Sequence, residues 1–379
     1  MSSNHSFQLP DLISIIGSLE LRTNRHCRLA TDTSEKWFTD ETGILSKNEL
    51  SYLRSTKIGL LCALCFPTSD APQLRMLTDL ATAVLYSGIR EYSNKSPRHS
   101  SWDYEIFTGS LNPLETPGRP ETGVDLFKKH RLFKHMPNER LVNIISKAST
   151  DWNHQFTESM QGLRSAQQKV VSNQSNNIIP SLEEYTELRK EMYGSSMVLD
   201  IAELLEIFQC PRTNGTTAEK ITNLKRAALD VIAWSMDVVS YQLNQSRGNT
   251  HNLVAVLMSH KNLSVQGAMN LSGNMIKDAF TSFCSAEQSV LESLEPQRSL
   301  NLPILSWVWP SLTTNRVPAS GEEAEAISEG VRRYIRALKD CMVGSVHWAY
   351  ESELFFGRKG VEIRTFGWVF VDQVPVIPD

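Results

Sequence analysis

The spacing of apolar positions predicts helices along most of the chain. Leu74, Leu77, Leu80, Val84 and Leu85 recur every three or four residues, the interval that gathers side chains on one helix face. Leu224, Ala228, Val231, Ile232 and Val239 repeat the pattern, and Leu199, Ala202, Leu205 and Ile207 form a shorter stripe. Pro180-Ser181 followed by Glu183-Glu184 reads as a helix start. Ser181 is the N-cap there, and the acidic residues sit where the helix dipole favours negative charge. Strand-like character is confined to the last twenty residues, where Val361, Ile363 and Phe366 precede GWVFVDQVPVIPD; this stretch is expected to be an extended tail. Residues 93–122, 172–180 and 310–322 carry the Ser, Asn, Pro and Gly content of loops. No internal repeat and no linker divides the chain, so an all-α domain is expected.

Composition narrows the picture further. The 379 residues are 41% hydrophobic and 21% charged, with a net charge of −4. That is enough apolar material for a large core, with no basic field for nucleic acid. MSSNHSFQLPDL lacks the basic and apolar regions of a secretory leader, and the apolar run Ile58 to Pro67 is far shorter than the roughly 20 residues that span a bilayer. A cytoplasmic protein without a membrane span is expected. Six cysteines in so long a chain are no disulfide framework. Cys62 and Cys65 form a CxxC inside GLLCALCF, which reads as core packing because no second CxxC or histidine pair accompanies it. There is no GxSxG, P-loop, HExxH or post-strand GxGxxG, and His99 and His347 stand too far apart in sequence to suggest a metal pair.

Four segments in order resemble the fungal class I sesquiterpene synthases. GLLCALCFPTSDAPQLRMLTDLATAVLY is similar to the turn and helix that lead to the first aspartate-rich motif. PSLEEYTELRKEMYG resembles the PSxxEYxxxRRxTxG segment. AWSMDVVSYQLNQSRGNTHNLVAVLM resembles a helix with the pattern W-x-N-D-x-x-S-x-x-x-E followed by T-H-N, and HWAYESELFFG resembles W-S-x-x-S-x-R-Y-F-G. The resemblance runs from Ile58 to Gly357. It implies a class I terpene-synthase-like helical bundle around a central cavity, built by helices near 74–92, 181–208, 222–258 and 331–356. The implied division is an N-terminal extension over 1–50 that packs on the domain, the α domain over 51–357, and the tail over 358–379. In the family, Mg²⁺ ions held by carboxylate, Asn and Ser oxygens neutralise a leaving diphosphate. Arginines grip that group, and an apolar chamber shelters a carbocation.

Laid on these patterns, the chain departs at most of the polar positions. Asp79 occupies the helix-entry aspartate, but Gly88, Ile89, Arg90, Glu91 and Tyr92 stand where the aspartate cluster should begin. Met236 replaces the ligand Asn, Asp237 and Ser240 are kept, and Asn244 replaces the ligand Glu. Lys190 stands at the diphosphate-sensing arginine, after Arg189, and Leu354 and Phe355 replace the Arg–Tyr pair. A thioether is a poor partner for a hard cation. The expectation is therefore a non-standard cyclase-like enzyme of fungal secondary metabolism that needs no metal or other cofactor. It would act by acid–base help on an isoprenoid-derived intermediate, through cyclisation, dehydration or carbon–heteroatom bond formation. Asp237, Ser240, Asn244, Lys190 and Tyr92 are the candidate catalytic residues. Tyr86, Gly88, Ile89, Met236, Arg189, Leu354 and Phe355 are the candidates for substrate contact. Two alternatives stand beside it. One is a Mg²⁺-dependent sesquiterpene synthase using farnesyl diphosphate with displaced ligands, drawing on Glu91 and Asp103 with Asp237. The other is a non-catalytic terpenoid-binding protein. The expected partner is a small terpenoid or similar apolar molecule, with no nucleic acid, and a homodimer is compatible with the sequence. His251, in T-H-N, is expected to pack helices.

Overall fold

A computed structural model describes residues 6–41, 47–93, 122–129, 139–206, 215–294 and 321–370. Sixteen α-helices in these stretches account for nearly all the regular structure. In chain order they are α1 Leu12–Ile15, α2 Cys27–Lys36, α3 Lys47–Thr56, α4 Ile58–Cys65, α5 Ala71–Ser93, α6 Gly123–Lys129, α7 Glu139–Ser146 and α8 Thr150–Ser175. There follow α9 Leu182–Glu191, α10 Ser195–Leu205, α11 Thr216–Ser246, α12 Leu253–Lys261, α13 Val265–Leu294, α14 Gly321–Glu351, α15 Glu353–Phe356 and α16 Gly360–Phe366. The fold is all-α, a helical bundle around a central cavity.

Local chemistry sets the breaks between helices. Ser181 caps α9 by accepting from the Glu184 amide at 3.2 Å, as the sequence predicts. The expected helical stretch 181–208 is two helices, because Gly194 takes the left-handed conformation (φ 69°) between them. The stretch 222–258 is also broken: α11 ends before Gly248 (φ 68°), and Asn252 restarts the helix by accepting from Val254 N at 3.0 Å. The polar run 172–180 is helical as far as Ser175, because α8 continues through it. Most of 93–122 and all of 310–320 lie outside the described residues.

The long helices α11 and α13 pack together more extensively than any other pair, and α14 lies against both α4 and α11. Close approach of α14 to α4 needs a glycine. A Cβ on Gly344 would fall 2.7 Å from the Leu64 carbonyl carbon, well inside van der Waals contact. Cys62, Cys65 and Cys341 are buried where these helices meet, which confirms the CxxC as packing.

The C-terminal segment differs from the expected extended tail. Gly360–Phe366 is a helix with Ile363 buried, and only Trp368–Phe370 is extended, pairing antiparallel with Ser6–Gln8. Residues 371–379 lie outside the described part. The helix packs Ile363 inward, and at its start Gly360 sits against the Tyr350 carbonyl, where a Cβ would be 1.9 Å from the oxygen. This two-stranded ribbon is the only sheet among the described residues. The N-terminal segment continues over the bundle from there. Phe7 meets Tyr241 edge-to-face at 5.5 Å, Arg22 Nε bonds Asp340 at 3.1 Å, and Asn24 donates to the carbonyls of Phe66 and Ser69. No helix of the described residues is long and apolar enough to cross a membrane.

His251 lies in the turn between α11 and α12, 1% exposed, with Nε2 3.4 Å from the Asn173 amide nitrogen. Burial lowers its pKa from 6.5 to about 4. The unfolded chain therefore takes up a proton near pH 6.5 that the folded chain refuses until near pH 4. Stability present above pH 6.5 should be lost progressively as pH falls toward 4, by on the order of 3 kcal/mol from this residue. Urea unfolding across that window should show this decline in the wild type and a flatter profile in His251→Gln. Identical profiles would exclude His251 as the source.

Candidate functional site

The cavity has a volume of about 350 Å³ and is lined mainly by apolar side chains from α3, α4, α5, α10, α11, α14 and α15. Leu61, Val84, Leu199, Ile232, Trp348 and Phe355 form much of its wall. Trp348 is fixed by its indole N–H, which donates to Thr56 O at 2.8 Å, and by an edge-on contact with Phe355. Such a pocket suits a hydrocarbon ligand held by a few polar groups. No group of three or more His, Cys, Asp or Glu side chains is placed to hold a metal among the described residues.

The carboxylate of the cavity and its guanidinium partner come from one strip of α11 and from Arg189 near the end of α9. Met236, Asp237, Ser240 and Asn244 all line it, since spacings of three and four place them on one helix face. Asp237 is 2% exposed and anchors a cluster rather than facing an open space. Its Oδ1 accepts from Arg189 Nε at 2.7 Å; its Oδ2 accepts from Tyr185 Oη at 2.6 Å and from Leu253 N at 3.1 Å. Asn252 donates to the Asp237 carbonyl at 2.7 Å. Arg189 also donates to Ala233 O at 3.0 Å and lies 4.5 Å from the centre of the Tyr193 ring. Burial, the largest single influence, would lower the Arg189 pKa, but the charge and hydrogen bond of Asp237 together with Tyr185 and Tyr193 outweigh it and hold the guanidinium above its ordinary value. Burial, together with the Asp237 charge, keeps the Tyr185 phenol well above its usual range. The cluster is thus a charged, fully hydrogen-bonded tie between α9, α11 and α12.

Ser240 and Asn244 stand one turn further along. Ser240 Oγ donates to Asp237 O at 3.4 Å and accepts from Asn244 Nδ2 at 3.0 Å; Asn244 Oδ1 accepts from Asn249 Nδ2 at 3.5 Å. A hydroxyl and an amide carbonyl each carry two lone pairs, so each oxygen keeps one for a ligand. The Ser240 hydroxyl and the Asn244 carbonyl, on side chains one helical turn apart, are oxygens of the described cavity lining that suit a hard cation such as Mg²⁺. They fit part of a coordination shell, with carboxylate ligands left to come from elsewhere.

The sequence candidates divide on this geometry. Leu354, Phe355, Met236 and Arg189 line the cavity with Asp237, Ser240 and Asn244. Lys190 does not. Its Nζ pairs with Glu187 at 2.9 Å and lies 3.7 Å from Asp230, facing a separate polar cleft that also holds Gln155 and Lys225. That cleft is larger, about 690 Å³, and behind it buried Asp200 accepts from Gln155, Ser159 and Lys225 at 2.6–2.7 Å. Asp79 is buried and bonded to Arg75 Nε at 2.8 Å. Tyr86, Gly88, Ile89, Arg90, Glu91 and Tyr92 belong to the backbone of α5, but their side chains lie outside the described part, as does Asp103. Sequence reasoning missed Tyr185, Asn252 and Tyr193. Tyr185 was findable, since it lies four residues before Arg189 on the same face of a segment already matched.

Breaking the tie should be costly. Asp237→Asn leaves Arg189 buried without its counter-charge, for an expected loss of about 3–5 kcal/mol in denaturant unfolding. The double variant Asp237→Leu/Arg189→Met should lose less than either single change. Additive losses would show that the two residues are not coupled.

Comparison with known proteins places this geometry. Residues 117–282 match the family model described as terpene synthase family 2, C-terminal metal binding. The chain is 26% identical over 357 residues to a sesquiterpene synthase of Cyclocybe aegerita, covering 94% of this chain and 90% of the relative. It is 27% identical to sesquiterpene synthase 1 of Postia placenta, covering 94% and 92%. Among solved structures, a hedycaryol synthase superposes with a TM-score of 0.60 at 20% identity, covering 87% of this chain and 95% of that one. These findings overturn the expectation that no cofactor is needed, because the matched region is a metal-binding one in its family. That expectation treated each missing carboxylate as a loss. It counted the Ser240 hydroxyl and the Asn244 amide, both at the cavity wall, as too little to hold a metal. In sequence over nearly its whole length, and in fold, the chain resembles the fungal class I terpene synthases.

Proposed function

We propose that this protein is a Mg²⁺-dependent sesquiterpene synthase of fungal secondary metabolism that ionises and cyclises farnesyl diphosphate, with part of its ligand set displaced. The observation that carries this reading is the juxtaposition of an apolar cavity of about 350 Å³ with the Ser240 hydroxyl and Asn244 amide on α11, which are joined Nδ2 to Oγ at 3.0 Å at its wall. The resemblance to sesquiterpene synthases supplies the substrate class.

Bound Mg²⁺ would supply positive charge to offset the diphosphate as it leaves. Ser240 and Asn244 would hold it through their oxygens, with a carboxylate from the segment after Val84, where Glu91 and Asp103 are the sequence candidates. Asp237 is a positioning residue in this reading: with Arg189, Tyr185 and Asn252 it fixes the turn of α11 that presents Ser240. Met236, Leu354 and Phe355 would bound the hydrocarbon, and the apolar wall would exclude water from the cation. The ring of Trp348, edge-on to Phe355, would offer electron density to developing positive charge. Lys190 has no part in the cavity.

Mg²⁺ with pyrophosphate should raise the melting temperature, consistent with about 2.7 kcal/mol of stabilisation at a hundredfold excess over Kd; pyrophosphate alone should raise it less. Asn244→Glu, which restores a carboxylate, should lower the half-saturating Mg²⁺ concentration by roughly tenfold. Incubation with farnesyl diphosphate and Mg²⁺ should give sesquiterpene hydrocarbons or alcohols by gas chromatography–mass spectrometry. A protein that binds farnesol but shows no magnesium-dependent shift and no product would be a terpenoid carrier, and the synthase reading would fall.

A further inference from the structure

The apolar chamber and the polar cleft back onto each other, and among the described residues one side chain, Leu229, lines both. It is 5% exposed and stands where α11 changes from polar to apolar. Lys225 and Arg226, four and three residues earlier, line the cleft; Ile232 and Ala233, three and four later, line the chamber. These spacings put all five on one helix face. Helix α14 makes the same crossing, with Tyr334 in the cleft and Cys341 in the chamber. At the break between α9 and α10, Arg189 and Ser195 face the chamber, while their neighbours Lys190 and Ser196 face the cleft. Backbone stands between the two spaces at that break; at Leu229 a single isobutyl group does. Asp151, His154, Glu158 and Glu187 line the cleft and are exposed, so it opens to solvent.

From this we infer that Leu229 is the partition between the two spaces: it fixes how long a prenyl chain the chamber accepts, and it keeps the solvent of the cleft from the reacting hydrocarbon. The first part follows from the cavities alone. The second rests on the synthase reading above and deepens it by naming a residue that selects the product. A carbocation has two ways out. It can lose a proton from a neighbouring carbon, which leaves an alkene. Otherwise a lone pair of water forms a C–O bond to it, and the added oxygen sheds a proton to solvent, which leaves an alcohol. An apolar wall that excludes water favours the first route. Shortening Leu229 to Ala would join a chamber of about 350 Å³ to a cleft of about 690 Å³ whose ionic groups attract water. The competing role is plain core packing, in which Leu229 fills space and separates nothing.

Leu229→Ala, Leu229→Val and Leu229→Met, made in the full-length protein, separate the two roles. The probes are farnesol and the longer alcohol geranylgeraniol in titration calorimetry, and farnesyl diphosphate with Mg²⁺ in water labelled with heavy oxygen. In Leu229→Ala the ratio of geranylgeraniol to farnesol affinity should rise roughly tenfold, the order that a methylene commands in an apolar pocket. Leu229→Val should move the ratio the same way by less, and Leu229→Met, which conserves volume, should leave it within about twofold of wild type. Labelled alcohol should gain on hydrocarbon in the same order, most in Ala and least in Met. An unchanged affinity ratio in folded Leu229→Ala, with only the melting temperature lowered, overturns the inference and marks packing. Should Leu229→Ala fail to fold, the ratio in Leu229→Val decides by the same criterion. A raised ratio with no gain in labelled alcohol overturns the water-excluding part. Wild-type protein that binds both alcohols but makes no product overturns the synthase reading, and the affinity ratio then decides the partition by itself.

Discussion

The buried pair of Asp237 and Arg189 is the interaction on which the rest of the cavity depends. Two charges removed from water are tolerated only when every polar atom around them is matched. Here the matching draws in Tyr185, Asn252, the Leu253 amide and the Ala233 carbonyl. Those partners come from α9, α11 and the first turn of α12, so the demand for neutrality positions three helices at once. The turn 248–252 is shaped by the same demand. Asn252 caps α12 through its oxygen while its amide nitrogen reaches the Asp237 carbonyl. One carboxylate thereby sets where α11 stops, where α12 begins, and which face of α11 lines the cavity.

Beyond that tie the cavity wall is chemically soft. Ser240 and Asn244 are neutral, and the residues opposite them are hydrocarbon. Neutral oxygen ligands bind a divalent cation more weakly than carboxylates do, because affinity follows the charge of the ligand set. On the proposed function, the protein would keep the shape of the chamber through a rigid ionic core while holding a metal and the charged end of a substrate more loosely. Shape and charge are carried by different residues of one helix, and they can vary separately.

The helices were legible because apolar spacing of three and four survives wherever one face meets the core, as in Leu74–Leu77–Leu80. The breaks at Gly194 and Gly248 were not, because the apolar rhythm resumes after each and only a positive φ marks the interruption. The C-terminal run misled for a related reason. Val361 and Phe366 are exposed and Ile363 is buried, so their apolar character says little about period. The close approach of Gly360 to the Tyr350 carbonyl is equally invisible in sequence. Within the site, the strip Met236–Asp237–Ser240–Asn244 could be read from helical spacing. The cation could not. Arg189 and Lys190 are adjacent, but neighbouring positions on a helix point about 100° apart, so one enters the cavity wall and the other a separate cleft. Alignment to a pattern fixes the position of a charge along the chain and leaves open which side of the helix it serves.

The ribbon that joins Ser6–Gln8 to Trp368–Phe370 has a consequence for biogenesis. Ser6 pairs with Phe370, so the earlier strand has no partner until the later one, over 350 residues on, emerges. At about 5–20 residues per second, that interval is roughly 20–70 s. Throughout it, Phe7 cannot reach its place against Tyr241, and the outer side of α11 near that ring stays uncovered even after its cavity side has formed. The chamber can assemble while the chain is still growing. Its outer clasp closes only after residue 370 has emerged, so pairing of the two strands reports that the bundle between them has been made.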